Sequence, residues 1–195
     1  SMDISNQGQR IINNIIQNNF EANKLVLHVD TIIGDLKFAK GTSKRFENAI
    51  KDIFEILGFK GRLPERECGK GPDDFVMLGL GDYLVIECKN ETTTETICKH
   101  DCNQLMGSFT WFNNAYRDEE SVCVPIMIHN SNVFEYNCSP LPQVKIMTPQ
   151  LLEKFKKNVR KCIVAIAQPD NFKNVENINN IIKTYKLNKE VIVRE

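Results

Sequence analysis

Two apolar runs joined by a glycine-aspartate turn constrain this chain more than any other feature. Phe75 to Leu80 and Tyr83 to Lys89 read as strands, and the Gly81-Asp82 pair between them is a hairpin signal. Side chains alternate faces along a strand, so Tyr83, Val85, Glu87 and Lys89 share one face while Leu84, Ile86 and Cys88 share the other. A carboxylate and an ammonium two residues apart at a strand's end are thereby aimed into the same space. Gly71-Pro72-Asp73-Asp74 leads into the partner strand, and closing the turn brings the Asp73 carboxylate towards Glu87.

Two carboxylates held together favour a hard divalent cation such as Mg²⁺, which takes oxygen ligands and keeps several waters. A lysine beside that cation suits a nucleophilic water or the negative charge that develops on phosphate. A glutamate and lysine two apart are more often a strand-end charge pair, and Asp73-Asp74 taken alone is more often a turn. Here the proline-aspartate turn, the hairpin and the apolar strand all coincide with the pair, which favours a site.

The surrounding pattern is mixed α/β. Residues 3 to 20 carry Ile11, Ile12, Ile15 and Ile16 at helical spacing. Residues 21 to 40 are ambiguous: Leu25 to Ile33 can be read as a strand, with Gly34 or Gly41 breaking the chain. From Ser43 to Leu57 a stripe of Phe46, Ile50, Ile53, Phe54 and Leu57 predicts a helix, with Ser43 as N-cap and Gly58 as its end. A loop through Gly61, Pro64, Gly69 and Gly71 precedes the hairpin. A helix over about Asp101 to Arg117, strands at Val122 to Ile128 and Val144 to Met147, and a helix from Thr148-Pro149 to about Val159 follow. Ile163 to Ala167 and Val191 to Val193 read as further strands, and Val175 to Tyr185 as a helix. This divides the chain into an N-terminal helical extension or linker (1–40), a core (41–170) and a C-terminal extension (171–195).

Bulk composition limits the function classes less sharply. The 25 basic and 25 acidic side chains cancel, so no global field advertises a polyanionic partner, although a local basic rim would suffice. No apolar run approaches the roughly 20 residues needed to cross a bilayer. Seven cysteines without framework spacing fit reduced thiols and a cytoplasmic location. Ser1-Met2 reads as a vector-derived start, which leaves room for a longer natural polypeptide.

Pro72-Asp73 followed by Glu87-Cys88-Lys89 resembles the signature of the PD-(D/E)XK nuclease superfamily. Gly71-Pro72-Asp73, Val85-Ile86-Glu87-Cys88-Lys89-Asn90, Gln104-Leu105 and Trp111-Phe112 are similar to nuclease-like domains appended to bacterial DEAD/DEAH-box helicases. The similarity spans about Ser43 to Ile128. It implies a restriction-endonuclease-like core, a central mixed β-sheet flanked by helices, and Mg²⁺- or Mn²⁺-dependent hydrolysis of nucleic acid. DNA is favoured over RNA through the resemblance alone, and a helicase module in the same polypeptide is a further expectation. Asp73, Glu87 and the backbone carbonyl of Cys88 would hold the metal, and Lys89 would orient or activate water. Family members often add a glutamate from the helix before the hairpin. At about 100° per residue, Glu47 lies beside Phe54 at the edge of the apolar stripe, whereas Asp52 and Glu55 point away, so Glu47 is the expected third acid. Gln104 would align water or phosphate, its bland alternative being a polar residue at a helix start. Asp74 stays open as a substitute for Asp73. The rival reading is a nucleic-acid-binding or assembly module that keeps the fold without cleaving; the intact Asp73, Glu87 and Lys89 argue against it.

Other signals rank lower. Cys98, His100 and Cys102 have metal-like spacing but no second ligand pair. Trp111 can stack on a base, though filling a packing surface is the commoner role for such a residue. Lys154, Lys156, Lys157, Arg160 and Lys161 form a basic cluster on a helix, which is more often a solvated face than a phosphate contact.

Overall fold

The expected hairpin forms, shifted by one residue, in the computed structural model, which describes residues 6–194. Strand β2 (Asp74–Gly79) pairs antiparallel with β3 (Asp82–Cys88), with Asp74 opposite Ile86 and Val76 opposite Leu84. The turn is Leu80-Gly81, with φ of 55° and 84°, the two positive angles that a tight type I′ connection needs. Strand β1 (Lys60–Arg62) adds antiparallel to β2. On the other side β3 pairs parallel with β4 (Val122–Ile128), and β4 pairs parallel with β5 (Lys145–Met147). The result is one five-stranded mixed sheet in the order β1-β2-β3-β4-β5.

Helices cover both faces of this sheet, and the alternation in β3 decides what each face meets. Leu84, Ile86 and Cys88 join Val76, Leu78, Val124 and Ile128 in the larger core, under α1 (Gln7–Gln17), α2 (Ala22–Asp35), α3 (Ser43–Ile56), α6 (Pro149–Ile166) and α7 (Val175–Thr184). Val85 and Phe75 face the other way, against Phe112 of α5 (Lys99–Ala115), and Met127 meets Leu105 there. The polar Glu87 and the apolar Val85 thus lie under α5, as expected from the two-residue repeat. Two short helices complete the described chain: α4 (Pro64–Cys68) and α8 (Lys189–Arg194).

Several expectations need correction. Leu25 to Ile33 is not a strand but part of α2. Its buried residues Leu25, Val29 and Ile32 recur at four- and three-residue steps and pack against α3 and α6, which outweighs the strand preference of its β-branched residues. Ile163 to Ala167 is not a strand either. The buried stripe Leu152, Val159, Ile163 and Ile166 keeps one helix going from Pro149 to Ile166. Val191 to Val193 lies in α8 rather than in a strand. The N-cap of α3 is Thr42, and the Ser43 hydroxyl instead donates to the Glu91 carboxylate. Thr148 does cap α6, accepting from the Leu151 N–H.

The segments set apart as extensions share the main core. Ile11, Ile12 and Ile15 of α1, Leu25 and Val29 of α2, and Ile178 and Ile182 of α7 all belong to the cluster built on α3. Gly58, with φ of 90°, lets α1 seat closely: a Cβ there would lie 2.8 Å from the Gln7 carbonyl oxygen. Residues 3–5 of the expected first helix lie outside the described residues. Among the described residues no helix is long and apolar enough to cross a membrane.

Candidate functional site

Strand pairing places the first two acids. Asp74 is opposite Ile86, so continuing the register by one residue sets Asp73 opposite Glu87. Directly opposed residues have Cβ atoms roughly 4.5–5.5 Å apart, close enough for the two carboxylates to share a proton or a cation. Asp73 is anchored by the Cys88 backbone N–H, which donates to its Oδ2 at 2.8 Å. Glu87 is anchored from α5, where the Ser108 hydroxyl donates to Oε1 at 2.5 Å. Burial raises the Glu87 carboxyl to about 9, and the neighbouring Asp73 charge adds to the effect.

A third acid comes from a segment expected to be loop. Glu65 sits in the first turn of α4, and its carboxyl is raised by a side-chain hydrogen bond with Asp73, then by burial and by the Asp73 charge. Asp73 thus stands between Glu65 and Glu87. Glu65, Glu87, Gln104 and Ser108, with Gly71 and Gly107, line an open cavity of about 150 Å³. Gly71 is required there. Its φ is 101°, and a Cβ would meet Pro64 at 2.9 Å and Trp111 at 3.0 Å.

Lys89 lies just past β3 on the Glu87 side, and its backbone N–H donates to the Ile128 carbonyl at 2.7 Å. Its ammonium donates to Oε1 of Gln104 and is 3.5 Å from Oδ1 of Asp101, both on α5. Its charge also favours the ionised forms of Glu65 and Glu87, which locates it beside both. Asp73, Glu87, Lys89 and Gln104 are therefore brought together. Cys88 reaches them only through its backbone, because its thiol is buried on the opposite face, where burial raises it well above the usual range.

Glu47 stands one step back. It makes an ion pair with Arg66 at 3.1 Å, and the groups that shift it most, after burial, are Arg66, Glu65 and Lys44. The helical-wheel expectation that α3 faces the sheet is met. However, α3 covers the face carrying Cys88, whereas Glu87 lies under α5. Asp74 belongs to the Cys88 face: it is 1% exposed, accepts from the Cys88 thiol, and is raised well above the usual carboxylate range, mainly by burial. It is thus placed on the opposite face of the sheet from Asp73 and Glu87.

No family model, curated protein or solved structure was found to match this chain.

Among the described residues no three His, Cys, Asp or Glu side chains already stand as a finished metal cage. The donor set nevertheless suits a hard cation. Glu65 and Glu87 line one polar cavity with Asp73 against both, and the two glutamates are held neutral more readily than a free carboxylate. A divalent ion would supply the compensating charge that protons supply otherwise. Cys98, His100 and Cys102 make no such group: Cys98 caps α5 and Cys102 is buried. Trp111 packs edge-on against Phe75 at 5.2 Å and against Gly71, so it fills a packing surface. The basic cluster on α6 lies across the sheet from α5, with Lys156 bonded to Glu153 and the Leu36 carbonyl, and Arg160 bonded to Asp30.

Glu65 and His129 are the residues that sequence reasoning missed. Pro64 at the first position of a helix with Glu65 and Glu67 in its first turn is a recognisable start signal, since the helix N-terminus favours acids. His129 extends the Met127 face of β4 by two residues, and Met127 is the register partner of Glu87.

Proposed function

We propose that the chain is a metal-dependent nuclease domain with a restriction-endonuclease-like core. The observation that carries this reading is Asp73 opposite Glu87 across the hairpin, beside a polar cavity lined by Glu65, Glu87 and Gln104, with the Lys89 ammonium bonded to Gln104. Asp73, Glu87 and Glu65, with the Cys88 backbone carbonyl, would hold Mg²⁺ or Mn²⁺. Bound there, such an ion supplies Lewis-acid polarisation of a phosphate oxygen and lowers the pKa of water. Glu47 is retained only as a more distant support, through its position beside Glu65.

The remaining work falls to the chain's own groups. The Cys88 N–H and the Ser108 hydroxyl fix one oxygen each of Asp73 and Glu87. Lys89, held at its head by Gln104 and Asp101, orients the attacking water or meets the charge that grows on phosphate. Gln104 lines the cavity and shares Lys89 with the incoming phosphate. The substrate is a nucleic acid, with DNA preferred on the resemblance. A helicase module in the same polypeptide and a cytoplasmic setting complete the proposal.

The experiment is direct. Single-stranded and duplex DNA and RNA are incubated with the protein in Mg²⁺, Mn²⁺ or EDTA. Cleavage products that appear with metal, vanish in EDTA and vanish in Asp73→Ala support the nuclease. Retention of labelled nucleic acid without any product would favour a non-cleaving binding module.

A further inference from the structure

Beyond the cavity lies a buried histidine that the proposed chemistry does not use. His129 follows β4 and is 0% exposed. Its backbone N–H donates to the Met147 carbonyl at 3.1 Å, and its Nδ1 accepts from the Ser131 N–H at 2.9 Å. An imidazole nitrogen that accepts a hydrogen bond carries no proton, so the ring N–H belongs on Nε2. That nitrogen has no hydrogen-bond partner and lies 3.9 Å from Oδ2 of Asp101. The gap is about 1 Å longer than an ordinary N–H···O contact, within reach of a small rotation of the Asp101 side chain. The other oxygen of Asp101 is 3.5 Å from the Lys89 ammonium, which also donates to Gln104.

We propose that His129 and Asp101 are a positioning pair for Lys89, in which Nε2–H of His129 orients Asp101 and Asp101 holds the ammonium on the α5 side of the cavity. The need for such a tether follows from the charges around Lys89. Glu65 and Glu87 attract the same ammonium. An untethered Lys89 would swing onto those acids and occupy the space that a cation needs. A buried donor also requires an acceptor, and Asp101 is the acidic group that faces Nε2. His129 touches neither the cavity nor the acids that line it, so its effect passes through Asp101.

This inference rests on the nuclease reading, and the test separates the two. His129→Gln keeps a donor near the Nε2 position and loses the acceptor for Ser131, whereas His129→Asn keeps that acceptor and loses the donor. Positioning predicts that His129→Asn and Asp101→Asn lower kcat by about 10–100-fold, the usual cost of removing an outer partner, with KM unchanged, while His129→Gln cuts as wild type does. A merely structural role in the Ser131 turn predicts the reverse order for the two histidine variants, and that order would overturn the proposal. Thermal unfolding of each variant identifies any that fail to fold. Histidine-selective ¹⁵N NMR of the wild type reads the pairing without activity: a proton on Nε2 whose signal moves in Asp101→Asn is expected, and a proton on Nδ1 overturns the proposal. A wild type that cuts nothing would sink the nuclease reading, and the NMR would then decide the pairing by itself.

Discussion

Replacing Glu87 by glutamine in metal-free protein probes the electrostatics at the centre of the site. Glu87 is 6% exposed and its carboxyl is raised from 4.5 to about 9, first by burial and then by Asp73. Between those two values the unfolded chain has released this proton and the folded chain has kept it, so stability falls as pH rises. From pH 5 to pH 8 the loss is about 4 kcal/mol at about 1.36 kcal/mol per pH unit. That is an upper value, because part of the shift comes from the neighbouring Asp73 charge rather than from burial. Glutamine is neutral throughout and keeps the oxygen that accepts from Ser108. Other titrating groups, the buried Asp74 among them, are common to both proteins and largely cancel in the difference. Urea unfolding in EDTA should therefore show Glu87→Gln gaining on wild type by up to about 4 kcal/mol between pH 5 and pH 8. A difference that stays constant over that range would refute a neutral, buried Glu87.

Mn²⁺ calorimetry should separate the two candidate third acids: Glu65→Gln should weaken binding strongly, and Glu47→Gln should leave it nearly unchanged. Equal losses would restore Glu47 to the metal site. The Glu47–Arg66 pair is partly exposed, so Glu47→Gln should also cost less than about 1 kcal/mol in a melting experiment. Gly71→Ala should destabilise by more than about 1 kcal/mol, because a side chain there is strained at φ 101° and meets Pro64 and Trp111. A melting temperature equal to wild type would show that the loop adjusts freely.

The hairpin and α3 were legible because their signals are local. Alternation placed Glu87 and Lys89 on one face, and one apolar stripe with Gly58 bounded the helix. Longer-range packing hid the rest. Leu25 to Ile33 carries β-branched residues that favour a strand in isolation, and only the neighbouring α3 and α6 make it a helix. Ile163 to Ala167 is a short apolar run whose helical phase appears only when traced back to Leu152. Glu65 lies in a five-residue helix, too short to show periodicity, and reaches Asp73 through the fold of the loop before the hairpin. Glu47 follows from the wheel of its own helix, which does not show which face of the sheet that helix covers. Asp101 and His129 come from different elements: the parallel pairing of β3 with β4 brings His129 towards Lys89, and the packing of α5 on both strands brings Asp101 there.

The most direct measurement compares wild type and Lys89→Ala cutting one substrate at saturating Mn²⁺, with melting temperature and Mn²⁺ affinity recorded for both. Lys89 cannot ligate a cation while protonated, so its contribution falls on water and on transition-state charge. The account predicts an intact fold, largely retained metal binding and a rate lower by on the order of 10²–10³. A variant that cuts as fast as wild type would contradict the role of Lys89, and a wild type that leaves every nucleic acid intact with metal present would contradict the nuclease itself.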